Sequence, residues 1–144
     1  MTIFQLLMLG ASAYFAFKIY EHIQTLQDPL GQGGASSVSD MDIDSLIEDA
    51  DKQREEENLD RALAIYSEAK QRDPKNAEVL FKMGYTLALQ GRDDEALEYY
   101  LESLEYDDKN PFAYKEVAKI YAKTSQKELS DEYYQKAREL DENI

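Results

Sequence analysis

A 34-residue period is the feature that most limits how this chain can fold. A small residue and an aromatic residue, four positions apart, recur at that interval. The recurring pairs are Ala62 with Tyr66, Ala96 with Tyr100, and Ser130 with Tyr134. Three copies of one unit therefore fill residues 43–144, and we predict repeats over 43–76, 77–110 and 111–144.

Each unit has the spacing of two helices joined by a tight turn, which predicts an all-α fold. In the middle unit the helical pattern of apolar residues is interrupted at Gly91, where a positive φ costs little. Pro74 closes the first unit, and Pro111 lies in the first turn of a helix, where its missing N–H is harmless. Asp42 is predicted to cap the first helix. The predicted helices cover residues 43–56, 60–72, 77–90, 93–106, 111–123 and 128–141.

This pattern resembles the tetratricopeptide repeat, a 34-residue unit with Leu-Gly and an aromatic in its first helix, Ala-x3-Phe in its second and a terminal proline. The matching residues are Ala50, Ala62, Tyr66, Ala69 and Pro74, then Gly84, Ala96 and Tyr100, then Tyr121, Tyr134 and Ala137. The third unit departs from the pattern at Ala118, Ser130 and Glu142. The resemblance implies a short right-handed solenoid of three helix pairs. It also implies that the first helices line a concave groove, which holds a peptide or a partner helix.

If the three units are aligned with the tetratricopeptide repeat, the side chains that line the groove are acidic in unit one, aromatic in unit two and basic in unit three. The predicted partner-binding residues are Asp44, Ile47, Asp51, Arg54, Glu78, Phe81, Tyr85, Phe112, Lys115 and Lys119, with Ala88 and Ala122 beside them. We predict that the three aromatic residues anchor an extended or helical segment, and that the lysines attract an acidic side chain or a terminal carboxylate. The alternative is that the aromatic rings pack between helices and the lysines form a solvated face.

One subset of the family grips chaperone tails with paired lysines and asparagines. The corresponding positions here are Ile47, Asp51, Lys82, Phe112 and Glu116. That clamp is absent, so the resemblance does not imply binding of chaperone tails.

Composition disfavours several classes of function. The chain has no cysteine and one histidine, His22, so the repeats lack the usual nucleophile, proton shuttle and soft metal ligand. The acidic run at residues 93–95 starts a helix, where such side chains are expected. The net charge is −14, of which −11 lies in residues 43–144, and this opposes nucleic-acid binding. We expect no enzymatic activity, no cofactor and no metal.

Residues 3–20 are almost wholly apolar and would span about 27 Å as a helix, or about 31 Å if the helix continued to residue 23. We predict a single transmembrane anchor over residues 1–23. A signal peptide cut after Ala13 and a buried core helix are the competing interpretations, but no basic segment precedes the apolar run. Lys18, on the C-terminal side, favours repeats that face the cytoplasm; a periplasmic location is the alternative.

Residues 24–42 form the predicted juxtamembrane segment and linker. The stretch 29–39 contains three glycines, three serines and no charge, a composition typical of flexible linkers. Counted from Asp28 to Asp42, the 15 residues would have a root-mean-square reach of about 20–23 Å. We therefore expect the repeats to be held close to the bilayer.

Together these features predict a membrane-tethered protein–protein interaction module that recruits or scaffolds a complex. The alternative is a structural accessory subunit of a membrane complex. In that case its transmembrane helix would pack through the small residues at 10–13 and 16. A solenoid end needs a polar cap, and Tyr133, Tyr134, Ala137, Leu140 and Ile144 cannot all face inward. We therefore predict that this end docks onto a partner or onto a second copy of the chain.

Overall fold

The computed structural model describes residues 40–144, which contain six α-helices and no strand. The helices are α1 Ile43–Glu55, α2 Leu59–Arg72, α3 Ala77–Leu89, α4 Asp93–Tyr106, α5 Pro111–Lys123 and α6 Lys127–Leu140. Each end lies within one residue of the predicted position, and the all-helical prediction is confirmed. None of these six helices is long and apolar enough to cross a bilayer. The predicted anchor over 1–23 and most of the linker lie outside the described residues.

Side-chain caps define the start of the first helix in every unit. The Asp42 carboxylate accepts a hydrogen bond from the Ser45 backbone N–H at 2.8 Å, as predicted, and this bond lowers the pKa of Asp42. Asn76 caps α3 by accepting from the Val79 N–H at 3.1 Å. Asn110 caps α5, with Pro111 directly after it. The second helices α2, α4 and α6 have no side-chain cap, so their positions depend on packing against the first helices.

The turn inside each unit has the same left-handed backbone. Glu57, Gly91 and Ser125 have φ values of 63°, 76° and 61°, and they are spaced by the 34-residue period. Glycine adopts this conformation freely, whereas a residue with a Cβ pays about 1–2 kcal/mol for it. The sequence indicated this turn only at Gly91. The other two positions adopt it because the helices on either side determine the path of the chain.

The core follows the period along the stack. Each first helix packs on the second helix of its own unit, and α2 and α4 also pack on the first helix of the next unit. Gly84 shows why a small residue recurs here: a Cβ at this position would lie 2.9 Å from the ring of Tyr100 and 3.1 Å from the carbonyl oxygen of Ala96. Gly84 and Ala96 therefore lie at the contact between α3 and α4. The Tyr100 ring continues into a cluster with Val117 and Ile120 that joins units two and three.

Two tyrosines at equivalent positions differ in their hydrogen bonding. Tyr66 donates its hydroxyl hydrogen to the Asp51 carboxylate, which also accepts from Lys82 Nζ and lies 3.2 Å from the Arg54 guanidinium. Burial, followed by the bond to Asp51, raises the pKa of Tyr66. Tyr100 is equally buried, but its hydroxyl has no hydrogen-bond partner within residues 40–144. The contact between units one and two is therefore held by a polar network around Asp51. Tyr100 makes no equivalent hydrogen bond in the contact between units two and three.

This difference predicts opposite responses to one substitution. Tyr66→Phe is expected to lower the free energy of unfolding by about 1–2 kcal/mol, because it removes the buried hydrogen bond that Tyr66 donates to the Asp51 carboxylate. Tyr100→Phe should leave that free energy unchanged or raise it by up to about 1 kcal/mol, because it removes an unsatisfied buried hydroxyl. Urea unfolding of the full-length protein in mild detergent, followed by circular dichroism, measures both. Equal losses would show that the two hydroxyls contribute alike.

Candidate functional site

The candidate site is the groove, which we define as the exposed side of the first helices α1, α3 and α5. Two contacts show that α1 and α3 lie side by side there: Lys82 pairs with Asp51, and the Arg54 guanidinium lies over the Tyr85 ring, 5.5 Å from its centroid. The predicted residues of units one and two are thus brought onto one surface. That surface has three parts, which differ in polarity.

The aromatic part contains the three predicted anchors, but they are not equivalent. Phe81 is half-buried, with its ring centroid 5.5 Å from that of Tyr100 and 6.5 Å from that of Tyr85. Tyr85 is 37% exposed and Phe112 is 56% exposed. The alternative interpretation, packing between helices, therefore applies to Phe81, whereas the other two rings are open to a partner. Leu89, one turn after Tyr85, is also exposed and was missed in the sequence because it lies at the end of its helix.

The acidic part is a pocket of about 460 Å³ between α1 and α3. Its lining residues are Asp44, Ile47, Glu48, Asp51, Lys52, Glu55, Glu78 and Lys82. Four of them were predicted, although Ile47 is only 7% exposed and belongs mainly to the core. Glu48 and Glu55 were not predicted. The available signal was their helical spacing, because Asp44, Glu48, Asp51 and Glu55 share one side of α1.

Most of the charge deepest in this pocket is paired within the protein. Lys82 contacts both Asp51 and Glu78, the latter at 3.0 Å, and Arg54 contacts Asp51. Asp51 was predicted as a partner-binding residue, but its oxygens are already occupied by three donors from α1, α2 and α3. Asp51 therefore connects α1, α2 and α3 and has a structural role.

The basic part is weaker than the sequence indicated. Lys119 pairs with Glu116 at 2.6 Å on its own helix, and Lys123 pairs with Asp93 at 3.0 Å. Lys115 is half-buried and makes no ion pair within the described residues. The predicted attraction for an acidic partner is therefore largely offset by carboxylates of the protein itself.

The apolar side chains at the C-terminal end of the solenoid are more buried than the sequence predicts. The ring of Tyr133 packs against Tyr114 and Tyr121, with centroids 6.0 and 5.5 Å away, and this burial raises the pKa of Tyr133. Ala137 is buried, Tyr134 is half-buried, and Leu140 remains exposed. Self-association through this end stays a prediction, with a smaller apolar surface to support it.

Residues 40–144 contain no group of histidine, cysteine or carboxylate side chains placed to hold a metal ion. What this region does present is a helix-pair repeat with exposed rings and uneven charge on one side. Those features define a helical solenoid of the kind used for contact with other proteins. Models of the tetratricopeptide repeat match residues 53–123 and 113–144. The chain belongs to the tetratricopeptide repeat family.

Solved structures agree with this assignment at the level of the fold. A crystal structure of MamA superposes with a TM-score of 0.67 at 18% identity, covering 70% of this chain and 59% of that one. The first repeat domain of Spaghetti (RPAP3), bound to the HSP90 peptide SRMEEVD, gives 0.68 at 17% identity, with 71% and 81% covered. The Arabidopsis OM64 repeat domain gives 0.68 at 15% identity, with 71% and 84% covered. No curated protein matches the sequence at a significant level.

Proposed function

We propose that the repeats bind a segment of another protein in the groove, and that the N-terminal anchor places this groove next to a membrane. The observation that carries the proposal is the exposure of Tyr85 and Phe112 on the groove surface, because exposed aromatic rings are enriched at the centres of interfaces. The fold supports it, since tetratricopeptide repeats are typical protein–protein interaction modules. The Spaghetti (RPAP3) structure holds a peptide in a related fold.

The membrane part of the proposal is supported by the sequence of residues 3–20 and by the uncharged linker that follows. The orientation toward the cytoplasm is supported by Lys18. In this arrangement the protein recruits or scaffolds its partner at the bilayer surface, without chemistry of its own. The rival function is a structural subunit that is integrated through its helix.

Replacing residues 3–20 by an unrelated spanning helix separates the two functions. A recruiting module is expected to keep its partner, because the groove is unchanged. A structural subunit would lose its complex, because specific helix packing in the membrane would be lost. The measurement is the amount of complex recovered from detergent-solubilised membranes, with total protein as the control.

The groove itself is tested by Tyr85→Ala combined with Phe112→Ala. We expect at least about tenfold less partner to be recovered, because each ring is expected to supply more than about 1 kcal/mol of binding energy. Phe81 is left intact because it packs on Tyr100. Tyr106→Ala is the matched control, since Tyr106 is a similarly exposed aromatic residue at the end of α4, outside the groove.

The readout is quantitative mass spectrometry of proteins that co-purify with each variant. Circular dichroism must show equal helix content in the three proteins. An unchanged partner list in the double variant rejects the groove as the binding site. A loss of partner caused by Tyr106→Ala would indicate that the partner contacts the second helices and not the groove.

A further inference from the structure

The charge at the two ends of the groove is compensated to different extents. The pocket between α1 and α3 is lined by five carboxylates and two lysines, a net charge of −3. Lys82 is shared by Asp51 and Glu78, whereas Asp44, Glu48 and Glu55 pair with no basic residue of the described chain. At the opposite end Lys119 pairs with Glu116 and Lys123 with Asp93, which leaves Lys115 as the lysine without an ion pair among the described residues. Within the described part of the chain, the pocket thus has three unpaired carboxylates against one unpaired lysine, Lys52, whereas the opposite end has a single unpaired lysine. The larger uncompensated charge of the groove is therefore negative and lies at the end formed by α1 and α3.

Acidic side chains are ordinary on a protein with a net charge of −14, so this cluster alone would indicate nothing. What distinguishes it is its continuity with the exposed aromatic surface. Arg54 touches Asp51 at the pocket wall and lies over the ring of Tyr85. The ring next to the pocket thus already accommodates a guanidinium group, which is the geometry of a cation–π contact.

The spacing between the two parts suits a single short segment. Glu78 and Tyr85 are seven residues apart on α3, so they lie on one side of the helix and about 10 Å apart along its axis. That distance corresponds to about three residues of an extended chain or about seven of a helix. One peptide can therefore place one side chain in the pocket and another on the aromatic rings.

The charge also indicates where the segment comes from. Residues 1–39 contain one lysine, Lys18, and no arginine, so this region of the chain offers little basic character. A second copy would bring the same net charge of −14 and would be repelled. The occupant with complementary charge is a different protein.

We propose that the groove selects a segment of a partner protein that carries a lysine or arginine beside an apolar side chain. The basic side chain enters the pocket between α1 and α3, where Glu48 and Glu55 neutralise it. The apolar side chain lies on Tyr85 and Phe112. This inference rests on the proposed function and adds the chemistry of the partner, which is opposite in sign to the acidic segment that the groove lysines suggested.

The experiment is selection from a random peptide library displayed on phage, with peptides of about 12 residues that can span about 40 Å. The bait is the full-length protein in detergent micelles, and the Tyr85→Ala plus Phe112→Ala variant is selected in parallel. Peptides recovered by the wild type alone are expected to carry lysine or arginine about three or about seven positions from an apolar residue. The best of them is then synthesised for affinity measurement by fluorescence anisotropy.

Two double variants test the pocket with matched changes in charge. Glu48→Gln with Glu55→Gln should weaken binding about three- to tenfold, because it removes two carboxylates that face the basic side chain. Glu98→Gln with Glu105→Gln removes the same charge at the same seven-residue spacing on α4, from exposed residues without partners in the described chain. Its effect should stay within about twofold.

The outcomes separate this inference from the proposed function. Groove-dependent peptides without enrichment in lysine or arginine, or equal effects of the two double variants, would overturn the basic segment and leave groove binding intact. If no peptide distinguishes the wild type from the Tyr85→Ala plus Phe112→Ala variant, the proposed function fails and the inference fails with it.

Discussion

Asp51→Ala is expected to lower the free energy of unfolding by about 2–4 kcal/mol, although Asp51 lies on a face that the sequence assigns to partner binding. The substitution removes the acceptor for Tyr66 and leaves Lys82, which is about one-fifth exposed, with Glu78 as its remaining partner. The residual exposure keeps the loss below that of a fully buried pair. Urea unfolding of the full-length protein, followed by circular dichroism, measures it.

The matched control is Glu48→Ala, one turn earlier on the same helix. Glu48 is exposed and makes no ion pair within residues 40–144, so its removal should change stability by no more than about 0.5 kcal/mol. Asp51→Asn should fall between the two, since the amide oxygen still accepts from Tyr66 while the charge opposite Lys82 is lost. Similar values for Asp51→Ala and Glu48→Ala would mean that the network contributes little.

The second large effect is expected at Gly84. Alanine there is expected to cost about 1–3 kcal/mol, because the new Cβ would lie 2.9 Å from the ring of Tyr100, which is fully buried. This loss opposes the gain of up to about 1 kcal/mol that alanine gives within a helix. The midpoint and slope of urea unfolding report the change, and the slope should stay constant.

A double-mutant cycle identifies the cause of that loss. If the ring of Tyr100 is the obstacle, Gly84→Ala should cost less in a Tyr100→Leu background than in the wild type, by at least about 0.5 kcal/mol. Additive effects would contradict a direct clash and would place the strain at the Ala96 carbonyl, which lies 3.1 Å from the same Cβ.

The helices were predictable because the 34-residue period sets their spacing and several of their boundaries carry a local signal. Asp42 and Asn110 precede helices that they cap, and Gly91 occupies a turn with positive φ. Glu57 and Ser125 occupy equivalent turns without that signal. Their conformation is imposed by the packing of the flanking helices, which a single residue type does not reveal.

The predicted groove residues can be compared with the structure in their exposure and in their contacts. The register predicts that Tyr85 and Phe112 line the groove, and both side chains are exposed. It could not show that Asp51 is engaged by Tyr66 and Lys82, because these partners lie 15 and 31 residues away and on other helices. Pairing across helices depends on how the units stack, and position within a repeat does not specify it.

The difference in hydrogen bonding between Tyr66 and Tyr100 affects where the solenoid can bend. Moving α3 relative to α1 must break the contact of Lys82 with Asp51, whereas moving α5 relative to α4 breaks no hydrogen bond of Tyr100. Among the described residues, α5 is linked to α4 by one ion pair, between exposed Lys123 and partly buried Asp93. Bending of the solenoid should therefore concentrate at the junction of units two and three. The groove would then keep a rigid acidic end and adjust its width around Phe112.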